Sequence, residues 1–196
     1  MEETLAPVPE ETGEVKKRSL FANIFGMMIN PAGTIKGAVA GTRWYVSLLI
    51  SALAFSLFFV QTGLDLYKTG QKGMVFVWFS LASGALYGLL VIPLIAVVAW
   101  GILKMAGTDR GVTWAVSGFC LSYSSALIYG LLGIIFSLVL GWKTAIAFGV
   151  SGVLWAVGPL IVASREMTEG NLKVSIPLVT VFSALVLLSW SFFGQL

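Results

Sequence analysis

The chain contains no histidine among its 196 residues and a single cysteine, Cys120. The first absence removes the commonest general base and a major metal ligand. The second excludes an internal disulfide. Charge is scarce as well: Asp, Glu, Lys and Arg together make up 11% of the sequence, against about 25% in soluble domains. The net charge of +3 is too small to point to nucleic acid. There is no GxxxxGK[ST] phosphate loop, GxSxG elbow or HExxH pair, and the carboxylates are confined to the tail and the loops. Serines without histidine offer no activated nucleophile, and the lysines lie at segment edges. The expectation is a non-enzymatic protein with no cofactor, no metal and no nucleic-acid partner.

Hydrophobic residues make up 58% of the chain, gathered into stretches long enough to cross a bilayer, which takes roughly 20 apolar residues. Five such segments are read: about Trp44 to Leu64, Val75 to Leu103, Val112 to Leu140, Thr144 to Ala163 and Val174 to Phe193. Four crossings with the second or third segment re-entrant is the alternative. The second segment, at about 43 Å of helix by 1.5 Å rise, exceeds a core of about 30 Å and must tilt, protrude or kink, with Pro93 the expected kink. A break in the third is expected near Gly130 to Gly133, and one in the fourth at Gly158-Pro159. The fold class is all-α: a polytopic membrane helix bundle with N-terminal interfacial helices.

Residues 1–18, with five glutamates, two prolines and the run Lys16-Lys17-Arg18, read as a disordered cytosolic tail without a signal-peptide pattern. Residues 19–42 read as an interfacial amphipathic segment. Its apolar residues from Leu20 to Ile29 recur at helical spacing, Ser19 is placed to cap, and Asn30-Pro31 forms a break from which a second short helix starts. Residues 43–196 form the transmembrane domain. Counting basic residues on alternate loops places the N-terminus in the cytosol and the C-terminus outside.

Gly118, Ser122, Ala126 and Gly130 recur every fourth residue, as do Gly84 and Gly88. Such smooth helix faces let another backbone approach, within the chain or from a partner. Tyr87, Tyr123 and Tyr129 fall in or near the segments, and their hydroxyls need acceptors in lipid. Ser83, Ser124 and Ser125 are the candidate acceptors, and the three tyrosines form a candidate polar groove. Asp65 reads as a helix-end charge close to Lys68, with Gln61 the more deeply placed polar group. No acid or base falls in the middle of a segment, which disfavours an ion-coupled pump.

The short segment with Asn30-Pro31, the long second and third segments joined by the turn Gly107 to Gly111, and the stretch Gly118-Phe119-Cys120-Leu121-Ser122-Tyr123-Ser124 together give a layout that resembles the Yip-domain family of Ypt/Rab-interacting membrane proteins, particularly its bacterial-type members. The resemblance covers about residues 20–195 and lies mainly in layout. It implies five spans, a cytosolic N-terminus, no enzymatic activity, and a role as scaffold or accessory protein in a transport or trafficking complex. The expected partners are membrane lipids and a membrane protein or second copy, and the expected location is a bacterial cytoplasmic membrane. The alternative function is a small carrier or permease component for a lipid or apolar solute.

Overall fold

A computed structural model of the protein describes residues 19–193. The tail over residues 1–18, including Lys16 to Arg18, lies outside the described residues. Among the described residues the secondary structure is entirely helical. Two short helices, α1 (Leu20–Ile29) and α2 (Pro31–Gly41), precede five long ones: α3 (Trp44–Lys68), α4 (Met74–Met105), α5 (Val112–Val139), α6 (Ala145–Met167) and α7 (Leu172–Phe193). All five long helices are apolar and long enough to cross a bilayer. The chain is an integral membrane protein of the multi-pass kind. Below, the two ends of the bundle are called the Lys68 side and the Arg43 side.

α3 is the central helix. Its buried face carries Ala54, Phe55, Phe58 and Phe59, which pack with Ile92 and Ala96 of α4, Phe119 and Tyr123 of α5, Val153 of α6 and Val186 of α7. The middle of α3 is 67% buried inside the protein and that of α5 61%, against 28% for α4 and 22% for α7. The last two therefore form the periphery, and the first and third spans form the core.

Three departures from straight helix have a local cause. In α4 the residues Tyr87–Val91 form a π turn ahead of Pro93. Proline removes the N–H that would bond the carbonyl of Leu89, and widening the preceding turn absorbs the lost register. In α5 the break falls at Tyr123 (φ −82°, ψ 12°), seven residues before the expected Gly130. Ser122 Oγ donates to the Gly118 carbonyl at 2.7 Å and Ser124 Oγ to the Leu121 carbonyl at 2.6 Å. Serine back-bonding of this kind competes for helix carbonyls and bends the helix. Gly130 and Gly133 stay helical because they serve packing. α6 opens as a π turn over Ala145–Val150 and is irregular again at Ala156, three before Pro159, next to the Trp155 carbonyl that proline leaves without its donor.

α1 and α2 form a closed antiparallel hairpin. Ser19 Oγ accepts from Ala22 N at 3.2 Å, and Asn30 Oδ1 accepts from Gly33 N at 3.0 Å, with Pro31 opening α2. Gly26 lies against Thr34, whose Oγ1 would be 2.7 Å from an added Cβ. Asn23 Nδ2 donates to Thr42 Oγ1 at 3.3 Å, which ties the start of α1 to the end of α2. Ile24, Met27, Ile35, Ala38 and Val39 are buried against Leu121 of α5 and Ala163 of α6. Trp155 of α6 donates to the Met28 carbonyl at 3.2 Å, and Lys36 pairs with Glu166 at 3.1 Å.

Candidate functional site

The small residues singled out in the sequence all face neighbours in the same chain. A Cβ on Gly84 would lie 2.8 Å from the Ser56 Cα, and one on Gly88 2.6 Å from the Ala52 Cα, so α4 rides directly on the backbone of α3. Gly130 faces Leu57 of α3, whose Cβ is 2.8 Å from the position an added Cβ would take. Ala126 meets Gly152 of α6, where an added Cβ would lie 2.9 Å from the Ala126 Cα. Ser125 Oγ also donates to the Gly152 carbonyl at 3.2 Å. Gly118 faces Ala163 more loosely, at 3.7 Å, and Ser122 is fully buried. The stripe runs through the bend at Tyr123, so its upper and lower halves serve different neighbours.

The three tyrosines do not share one groove. The ring of Phe55 lies between Tyr87 and Tyr123, with centroid distances of 5.0 and 4.9 Å, and Tyr123 is buried in the core. Tyr129 lies apart, with its ring 6.3 Å from that of Trp155. Tyr87 finds its hydroxyl partner on α7 at Ser189 Oγ, 2.6 Å away. Ser124 and Ser125 are used on backbone carbonyls.

What Tyr87 lines is a lateral groove between α4 and α7, of about 620 Å³. The π turn contributes Tyr87, Leu90 and Val91, α7 contributes Ser189 and Phe192, and Ser83 adds a hydroxyl. The walls are otherwise hydrocarbon. π turns within α-helices are frequent at functional sites, and this one sets the shape of the groove wall.

Two charged residues near the end of α3 hold the connection between α5 and α6. The Asp65 carboxylate accepts from Thr144 N at 3.1 and 2.9 Å and from Ala145 N at 2.8 Å, so it caps the start of α6. Lys68 Nζ donates to the Ser137 carbonyl and Oγ, both at 2.6 Å, and to the Trp142 carbonyl at 3.1 Å. An anion at a helix N-terminus and a cation at a C-terminus each complement the helix dipole. Asp65 is thus a helix-end charge, as its position suggests, but the helix ends it serves belong to α5 and α6. Its spacing of three from Lys68 puts both on one face of α3, a signal present in the sequence.

No protein-family model matches this chain, and neither a curated protein nor a solved structure does. Among the described residues, no group of three metal-binding side chains comes together.

Gln61 completes the buried polar set. Its Nε2 donates to the Gly130 carbonyl at 3.3 Å, while its Oε1 is buried without a donor against Gly133. An unpaired buried acceptor costs about 1–3 kcal/mol, offsetting much of what the single long hydrogen bond contributes. Gln61→Met keeps the shape and removes both groups. It is expected to leave the thermal midpoint unchanged or raise it, whereas Gly133→Ala, whose Cβ would meet the Gln61 amide carbon at 2.6 Å, is expected to lower it. Thermal unfolding of the two variants in one detergent checks the contrast.

Proposed function

We propose that the protein is a non-enzymatic scaffold or accessory component of a membrane complex, and that its working surface is the α4–α7 periphery. The observation that carries this reading is the difference in burial. α3 and α5 are 67% and 61% buried inside the protein, against 28% and 22% for α4 and α7, which leave Leu86, Leu90, Leu94, Leu185, Leu188 and Phe192 outward. A groove with a hydroxyl pair beside those side chains gives a partner helix a shaped seat, and transmembrane helices associate through close packing and interhelical hydrogen bonds. The Yip-type resemblance supports the same role in a bacterial cytoplasmic membrane. The basic residues support an Arg43 side facing the cytosol: Arg43, Lys104, Arg110, Arg165 and Lys173 lie there, against Lys68, Lys72 and Lys143 opposite.

A photoreactive amino acid placed at Leu94 or Leu185 in native membranes is expected to give a discrete protein adduct, and the same probe at Leu131 or Leu138 of α5 is not. Adducts with lipid alone at all four positions would overturn the scaffold reading. That result would favour the carrier reading, which rests on the same groove: about 620 Å³ lies within the range of small-molecule sites, and Tyr87 with Ser189 would meet the polar end of a lipid.

A further inference from the structure

We infer that the α1–α2 hairpin is a re-entrant element that inserts, tip first, into the leaflet on the Arg43 side and turns its outer face to lipid acyl chains. The tip, at Asn30-Pro31, is tied to the middle of the bundle. Trp155, which holds the Met28 carbonyl, lies ten residues from the first residue of α6 and twelve from the last. The hairpin also packs on Leu121, Leu127 and Ile128, midway along α5. Its open end lies at the membrane edge, where Asn23 meets Thr42 beside Arg43 and Trp44. The eleven residues of α2 rise about 16 Å, half of a hydrocarbon core of about 30 Å.

The polarity of the hairpin is reversed from that of a helix pair lying on water. Its polar Asn23 and Thr34 are turned inward and buried, while Phe21 and Ile29 stand 74% and 77% exposed and Phe25 lies outward between them. Phe21, Phe25 and Ile29 follow at i, i+4 and i+8, one continuous apolar stripe leading down to the tip. On α2 the outward residues toward the tip are Ala32 and Gly33. Lys36, halfway back to the edge, is the outward exception: its side chain is 67% exposed and reaches Glu166, one residue from the end of α6 on the Arg43 side.

The tip also goes part of the way to the requirement of backbone in lipid, that its polar groups be satisfied internally. Asn30 N closes α1 on the Gly26 carbonyl at 2.8 Å, and Asn30 Oδ1 takes Gly33 N. Pro31 has no N–H to satisfy. A single Asn-Pro pair thus turns the chain with few open donors.

The test uses the full chain in phosphatidylcholine nanodiscs, with nitroxide attached at Phe21→Cys, Phe25→Cys, Ile29→Cys, Ala32→Cys or Ala40→Cys. Cys120 is buried, and the unsubstituted protein serves as the labelling blank. Accessibility to oxygen is expected to rise, and accessibility to a water-soluble nickel chelate to fall, from Phe21 through Phe25 to Ile29. Ala32 should match Ile29, and Ala40 should match Phe21, because the chain returns to the edge. A flat profile open to nickel would mean that the hairpin lies on the surface, and would overturn the inference. Exclusion of both reagents along the stripe would mean that protein covers it, and would overturn it equally. The Ile29 and Ala32 labels report the same depth from different helices, so loss of one variant to misfolding leaves the outcome decided.

Discussion

Replacing Gly84 and Gly88 together with valine is expected to push the first two spans apart and to cause the largest loss of stability of any substitution considered for this protein. The two glycines lie one turn apart on the face of α4 that rests on Ser51 to Ser56 of α3, and at both positions the obstacle is main chain. A side chain can rotate away from an added methyl group, but a helix backbone can only translate. Overpacking usually costs about 1–3 kcal/mol at one site. Here the two sites share one crossing, so the second substitution adds less than the first. Gly101→Val, in the same helix, is the matched control, since an added Cβ there meets no neighbouring atom within 4 Å. The measurement is the midpoint of thermal unfolding in detergent, followed by size-exclusion profile. Equal midpoints for the paired variant and Gly101→Val would show that α3 and α4 do not touch through these glycines. Alanine at either position should fall between valine and the native residue.

The second large effect is expected at Asp65. Its carboxylate satisfies two backbone N–H groups at the start of α6, which no group of the connection itself replaces. Loss of an N-terminal cap costs about 0.5–2 kcal/mol. Asp65→Ala should therefore lower the unfolding midpoint and expose the connection at Gly141-Trp142-Lys143 to added protease. Asp65→Asn keeps an acceptor but loses the charge, and should fall between the two. Lys68→Met should give the same protease sensitivity by freeing Ser137 and Trp142. Because both side chains hold one connection, the double variant should be less harmed than the sum of the singles. Strict additivity, or an unchanged digestion pattern in Asp65→Ala, would show that the connection is held by other means.

Much of the architecture could be read from the sequence. The five spans follow from the length of apolar runs between charged edges, and their starts fall within two residues of expectation. The positions of breaks were harder. Pro93 and Pro159 mark theirs through the missing N–H, although Pro177, near the start of α7, leaves that helix unbroken. The bend at Tyr123 depends on Ser122 and Ser124 turning their hydroxyls back to the helix, a rotamer choice that residue type does not specify. The glycines show a smooth face through their spacing, but spacing does not name the neighbour. Asp65 illustrates the same limit: local reading pairs it with Lys68, while its partners are backbone amides 79 and 80 residues away, which any residue type would supply. Proximity to spans groups the three tyrosines, whereas helix rotation sets Tyr87 and Tyr123 on either side of Phe55 and leaves Tyr129 beside Trp155.

Asp65 and Lys68 are made by the ribosome well before the amides and carbonyls that they hold. When the first span enters the bilayer, an acid and a base at its end face water or headgroups with no protein partner. They are satisfied only when the third and fourth spans have both crossed and their connection has come down on them. A chain that stalls with either span outside keeps two open charges at the rim of its first helix. The pair that finishes the bundle thus gains its protein partners last, in the completed protein.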